Sequence, residues 1–297
     1  MSSHIDAGPI VVGYDASGPA VAALHWAGAL AAETHAHLVV LFAGQRNVAL
    51  LDAGYSIWDP ADLVEDAKQV AQLGVDDLTS RYPSLQVQAA GSLLPAAMAL
   101  DEASAGASMV VVGSHGRGRV SSIVLGSTAY GLSGNARCPV VVVRDAAAPR
   151  PGAGRPVVVG SDGSATSDRA VDVACTHAMV WAAPLVVLTS WMPPPPDPWD
   201  RPPMGYHTVA AAMKDLAEGA QRINDATLQR VRSTHQDLDV TGRVVEARPE
   251  DALLTATPDT ALVVLGNRGQ GVFAGAVLGS TTRSVLHQRT GPVMVVH

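Results

Sequence analysis

Short apolar runs recur along the chain, separated by longer stretches of mixed polarity. Ile10-Val11-Val12, Leu38-Val39-Val40-Leu41-Phe42, Met109-Val110-Val111-Val112 and Val140-Val141-Val142-Val143 are apolar at consecutive positions and rich in β-branched side chains. That is the pattern of short strands buried on both faces. Between them the period changes. Ser17-Gly18-Pro19 supplies a capping hydroxyl and a proline suited to a first helical turn, after which Val21, Leu24, Ala27 and Ala31 mark an apolar face. A second helix is expected around residues 63–78, a strand at Leu85-Gln86-Val87 and a third helix over residues 95–105. Strands alternating with helices in this way predict an α/β fold with a parallel, doubly wound sheet and right-handed crossovers. Such sheets bind ligands at the carboxyl ends of their strands.

The whole pattern then runs a second time. Pro9-Ile10-Val11-Val12-Gly13-Tyr14-Asp15-Ala16-Ser17 returns as Pro156-Val157-Val158-Val159-Gly160-Ser161-Asp162-Gly163-Ser164, and Leu38-Val39-Val40-Leu41-Phe42 as Leu185-Val186-Val187-Leu188-Thr189. The run ending at Gly113 is repeated by the one ending at Gly266, and Cys138-Pro139-Val140-Val141-Val142-Val143 by Gly291-Pro292-Val293-Met294-Val295-Val296. Gly13 and Gly160 are 147 residues apart, whereas Gly113 and Gly266, like Gly126 and Gly279, are 153 apart. The proline-rich stretch Met192-Pro193-Pro194-Pro195-Pro196-Asp197-Pro198 is the expected place of the extra residues. Asp145-Ala146-Ala147-Ala148-Pro149-Arg150-Pro151-Gly152-Ala153-Gly154 reads as an irregular linker, so two domains are expected, residues 1–147 and 148–297.

Composition agrees and narrows the partners. A chain of 297 residues is long enough for two cores, and 47% hydrophobic with 16% charged residues is a globular balance. Aromatic residues are only 4%, so the cores should be aliphatic. A net charge of −7 argues against general binding to nucleic acid or anionic membranes, and any anionic ligand must be held locally. No run of 18 uncharged apolar residues suggests a membrane span, and Met1-Ser2-Ser3-His4-Ile5-Asp6 lacks the features of a signal peptide, so a cytoplasmic location is expected. Cys138 and Cys175 share no metal-type spacing and are expected to be buried free thiols.

The candidate chemistry lies in a glycine loop present in both copies. Gly113-x-x-Gly116 is followed after nine residues by Gly126-Ser127-Thr128, and Gly266-x-x-Gly269 after the same interval by Gly279-Ser280-Thr281. Glycines after a buried strand let the backbone turn and bring its N–H groups toward a phosphate. The Gly-Ser-Thr segment can open a helix whose unpaired N–H groups favour the same anion, with hydroxyls as further donors. A single Gly-x-x-Gly is equally a flexible turn; identical spacing in two copies favours the cradle.

This combination resembles the ATP-binding branch of the universal stress protein family, in its tandem two-domain form found in actinobacteria. The resemblance covers nearly the whole chain. It implies two tandem Rossmann-like domains, each a doubly wound five-stranded parallel sheet flanked by helices, and ATP with Mg²⁺ as ligand. It places the nucleotide on Gly13, Asp15, Ala43, Gly113, Ser114, His115, Gly116, Arg117, Gly118, Arg119, Gly126, Ser127 and Thr128 in the first copy. The second-copy set is Gly160, Asp162, Ser190, Gly266, Asn267, Arg268, Gly269, Gln270, Gly271, Val272, Gly279, Ser280 and Thr281. Ala43 and Ser190 match positions that contact adenine. Asp15 and Asp162 match an acidic residue beside the nucleotide, where a carboxylate accepts from ribose hydroxyls or serves as an Mg²⁺ ligand through Mg-ATP; they equally suit capping of the helix that follows. The resemblance also implies a homodimer and a role as a stress-response regulator with a protein partner; the alternative is a protein-interaction module in which ATP is only a structural occupant.

Catalysis is not provided for. Neither loop contains Gly-x-x-x-x-Gly-Lys, the only lysines are Lys68 and Lys214, and no general base is evident, so at most weak ATP hydrolysis is expected. The glycine strand lies too late in each copy for a dinucleotide oxidoreductase, and the first strand lacks the glycine pair plus serine of adenylating enzymes. His115 reads as a polar phosphate neighbour and the other histidines as surface residues. The first loop carries His115, Arg117 and Arg119 where the second has Arg268, Gln270 and Val272. Its arginines predict tighter or more salt-sensitive binding at the first site. The valine strands at residues 140–143 and 293–296 are candidate edges for domain or subunit pairing.

Overall fold

A computed structural model describes residues 8–44, 60–116, 125–145, 152, 154–195, 197, 201–256, 261–270 and 278–297. The chain divides into two compact units, Met1–Arg150 with Arg289–His297, and Pro151–Gln288.

In the first unit the elements run β1 (Ile10–Gly13), α1 (Gly18–Thr34), β2 (Leu38–Ala43), α2 (Pro60–Arg81), β3 (Val87–Ser92), α3 (Ala96–Ser104), β4 (Met109–Gly113), α4 (Ser127–Asn135) and β5 (Val140–Val143). The strands lie in the order β3-β2-β1-β4-β5, all parallel. The order reverses between β1 and β4, which is where a doubly wound sheet opens a crevice at its carboxyl edge. The second unit repeats this with β6 (Val157–Gly160), α5 (Ala165–Val180), β7 (Leu185–Trp191), α6 (Val209–Thr234), β8 (Val240–Glu246), α7 (Pro249–Thr255), β9 (Leu262–Gly266) and α8 (Ser280–Gln288), its strands parallel in the order β9-β6-β7-β8. The last strand, β10 (Val293–Val296), belongs to the first unit, antiparallel to β5 with Met294 opposite Val141. The two valine strands read as candidate edges are therefore each other's partners.

Three local expectations need correction. The third strand lies at Val87–Ser92 rather than at residues 85–87. Its Ala, Gly and Ser carry little strand propensity, and pairing with β2, from Leu38↔Val87 to Ala43↔Ser92, makes it a strand. Helix α1 does not bury a single stripe. Ala22, Ala23, Leu24, Trp26, Ala27, Ala29, Leu30 and Ala31 are all buried while Val21 is only half-buried, because small side chains let the helix sink into the layer. His177 is not a surface histidine: it is buried in α5 with its ring stacked on Trp181 at 5.3 Å. Both cysteines are buried and free, and burial pushes the Cys138 thiol up to about 11 and the Cys175 thiol up to about 12.

Behind the crevice the copies are packed by exchanging volume between partners. In the first, Tyr14 follows β1 and faces Gly74 of α2, where an added Cβ would lie 3.4 Å from the tyrosine ring. The corresponding pair in the second copy is Ser161 and Thr227, with hydroxyl oxygens 3.2 Å apart. Thr227 donates to Ile223 O, which leaves Ser161 to donate to Thr227. Likewise Phe42 and Ala71 of the first copy become Thr189 and Asn224. The Asn224 amide donates to Thr189 Oγ1 at 3.1 Å and Val187 O at 3.0 Å, and Gly242 of β8 leaves room for it, since a Cβ there would lie 2.0 Å from Asn224 Oδ1. Buried polar groups of this kind are tolerated only when their hydrogen bonds are made.

Candidate functional site

The acidic turn after the first strand of each copy is built from its own side chains. Asp15 Oδ1 accepts from Ser17 N at 2.9 Å, and Ser17 Oγ caps α1 by accepting from Ala20 N at 3.4 Å. In the second copy Asp162 Oδ1 accepts from Ser164 N at 3.0 Å and Ser164 Oγ from Ser167 N at 3.2 Å. The residue between them is left-handed in both, Ala16 at φ 61° and Gly163 at φ 76°. The serines cap the helices, and each aspartate holds the backbone N–H of its capping serine. Burial tends to raise the Asp162 pKa, but hydrogen bonds from Ser164, Gln270 and Ser167 outweigh it and hold the carboxyl below its usual value.

The glycine loop closes against this turn. Gly126 N donates to Ser114 O at 2.7 Å and Gly279 N to Asn267 O at 2.8 Å, and α4 and α8 begin at Ser127 and Ser280 immediately afterwards. The Gly-Ser-Thr segments therefore open helices, with no acidic residue in either first turn to compete for an anion. The described loop glycines serve close approach without a left-handed backbone. Positive φ among the described glycines occurs only at Gly8, Gly163 and Gly205. A Cβ on Gly113 would lie 2.6 Å from Pro19 C, at the entry to α1. One on Gly116 or Gly269 would lie 2.5 Å from Asp15 Oδ2 or Asp162 Oδ2 respectively.

In the first unit these parts surround a cavity of about 300 Å³ at the strand-order reversal. Of the first-copy residues expected there, Gly13, Asp15, Ala43, Gly113, His115, Gly116, Gly126, Ser127 and Thr128 line it. Ser114 does not: it is buried, with its hydroxyl 3.0 Å from His115 Nδ1. Arg117, Gly118 and Arg119 lie outside the described residues, as do Gly271 and Val272 in the second copy. The sequence reading missed an apolar wall made by Tyr14, Leu41, Ala96, Leu100, Val112 and Ala129. Two signals pointed to it: Tyr14 sits between Gly13 and Asp15, and Ala96 and Leu100 are one helical turn apart at the start of α3.

In the second copy, Gly160 ends β6 and Ser190 lies near the end of β7. Thr282 Oγ1 donates to Gly266 O at 2.8 Å, tying α8 to the end of β9. Asn267 accepts from Gly279, Arg268 is exposed, Ser280 and Thr281 open α8, and Gln270 reaches Asp162. Among the described residues no three His, Cys, Asp or Glu side chains gather as a metal site, and no helix is long and apolar enough to cross a membrane.

The model of the universal stress protein family matches residues 7–144 and again 154–297. The chain belongs to the universal stress protein family. A universal stress protein of Mycolicibacterium smegmatis is 32% identical over 291 residues, 97% of this chain and 96% of its own length. One from Mycobacterium tuberculosis is 31% identical over 310 residues, 99% of this chain and 98% of that one. In fold, the chain is similar to the crystal structure of a universal stress protein from Archaeoglobus fulgidus, with a TM-score of 0.66 at 18% identity over 98% of each chain.

Proposed function

We propose that this universal stress protein binds ATP with Mg²⁺ and acts in the cytoplasm as a stress-response regulator, its nucleotide occupancy being read by a protein partner. The two domains of this reading, as repeats in the sequence, are residues 1–147 and 148–297, although the last strand of the second packs into the compact unit of the first. The observation that carries it is the first-unit cavity, which joins an anion-compatible end to an apolar one at the strand-order reversal. The triphosphate belongs against the loop backbone and the Ser127 and Thr128 hydroxyls. Asp15 is placed to accept from ribose hydroxyls, and the adenine to lie against Ala43 and the apolar wall. The bare Gly116 supports the fit, because its missing Cβ brings loop backbone and Asp15 carboxylate within reach of one ligand. Mg²⁺ would be held by the phosphates with Asp15, since among the described residues no cluster would hold it alone. A homodimer, implied by family resemblance, must use a surface other than the β5 edge taken by β10.

Denaturing the purified protein and identifying the released nucleotide, followed by titration with Mg-ATP, tests this reading. Gly116→Ala should weaken first-site binding about tenfold or more, roughly 1.4 kcal/mol, and Gly269→Ala should leave that site unchanged. A chain that releases no adenine nucleotide and shows no saturable ATP binding overturns it.

A further inference from the structure

The second copy meets its own acidic turn with a glutamine. Gln270 follows the Gly266-x-x-Gly269 loop directly and returns to Asp162: its backbone N–H donates to Oδ2 at 2.9 Å and its side-chain amide to the main-chain oxygen at 2.5 Å. Asp162 Oδ1 is already engaged by Ser164 N. Both carboxylate oxygens and the backbone carbonyl of Asp162 are thus hydrogen-bonded within the protein. Gly163, left-handed at φ 76°, lies against the amide, its Cβ position 3.6 Å from Gln270 Nε2. In the first copy the aligned residue is Arg117.

We infer that the Gln270 side chain is an internal competitor at the second site: its amide, bonded to the Asp162 main-chain oxygen, bridges the glycine loop and the acidic turn across the place a nucleotide would enter. The inference rests on the nucleotide reading above. It assigns Gln270 the role of an affinity-setting residue. A nucleotide entering between loop and turn must break that side-chain bridge, so part of its binding free energy offsets the lost hydrogen bond. The two contacts also tie the glycine loop to the acidic turn, the two walls between which a nucleotide would have to enter. Gln270 is exposed, so water shares in the exchange and the effect is moderate.

The test uses the full chain and Mg-ATP, with Asp15→Ala, or Asp15→Asn if the alanine variant melts early, isolating the second site. Adding Gln270→Ala to that background should tighten binding about three- to tenfold, and Gln270→Leu, which keeps the bulk but removes the amide donor, should tighten it as well. Gln270→Arg, which places the first copy's residue there, should tighten it at least as much as alanine. Equal affinity with and without Gln270→Ala overturns the inference, while first-site binding by the wild type still upholds the nucleotide reading. No ATP binding in the wild type or in any variant overturns both.

Discussion

At the scale of single residues, His177 is the most consequential side chain outside the crevice. It is buried in α5 beside Trp181, its Nδ1 has no hydrogen-bond partner among the described residues, and burial pushes its pKa down to about 4. The folded state therefore favours the neutral ring. Its full contribution to stability is present above the unfolded value near 6.5 and is lost as pH falls through the interval from there to about 4. The total is on the order of 3 kcal/mol. Asp77 and Asp162, held below the ordinary carboxylate value, lose their contributions only at still lower pH, so the intervals are separable. Urea unfolding should show stability level above pH 6.5 and falling between pH 6.5 and 4, with the fall removed in His177→Phe; an unaltered fall in that variant would place its origin elsewhere.

At the scale of elements, the same helix pair is clamped with opposite polarity in the two copies. His25 of α1 meets Asp77 of α2 at 2.5 Å, whereas at the corresponding positions Asp172 of α5 meets Arg230 of α6, which also reaches Asp168 at 3.4 Å. These pairs are partly exposed, so each coupling should be below about 1 kcal/mol. Double-mutant cycles should give a coupling below about 1 kcal/mol for each pair; a coupling of several kcal/mol at either would refute the screened-clamp reading. A swap of donor and acceptor of this kind is invisible to local pattern, since each partner alone reads as a solvated polar residue. Strands with consecutive valines, such as β4 and β9, were legible in the chain because their burial on both faces is written residue by residue. β3 was not, because Gly91 and Ser92 become strand only through β2. In the crevice the glycine and Gly-Ser-Thr positions were legible from their doubled spacing, whereas Leu41, Ala96 and Leu100 look like any other core residues until the fold brings them to one cavity.

At the scale of the whole molecule, the chain's last strand completes the first unit. Val293, Met294, Val295 and Val296 are buried, as are Val140 to Val143 of β5, which β10 covers. Removing residues 289–297 should expose that edge, lower the melting temperature and drive self-association through β5. Sedimentation and thermal unfolding of the truncated chain check this, and an unchanged size and melting point would rule it out. The packing behind the crevice has a different bearing, on how the duplicated halves persist. Sister repeats in one reading frame invite recombination, yet a crossover between β1 and α2 would set Tyr14 against the threonine of the other copy, or Ser161 against the bare glycine. The first crowds the core and the second leaves a void. Only exchanges that carry both partners together escape that damage, so the paired divergence acts as a ratchet against homogenisation and lets the two halves specialise separately.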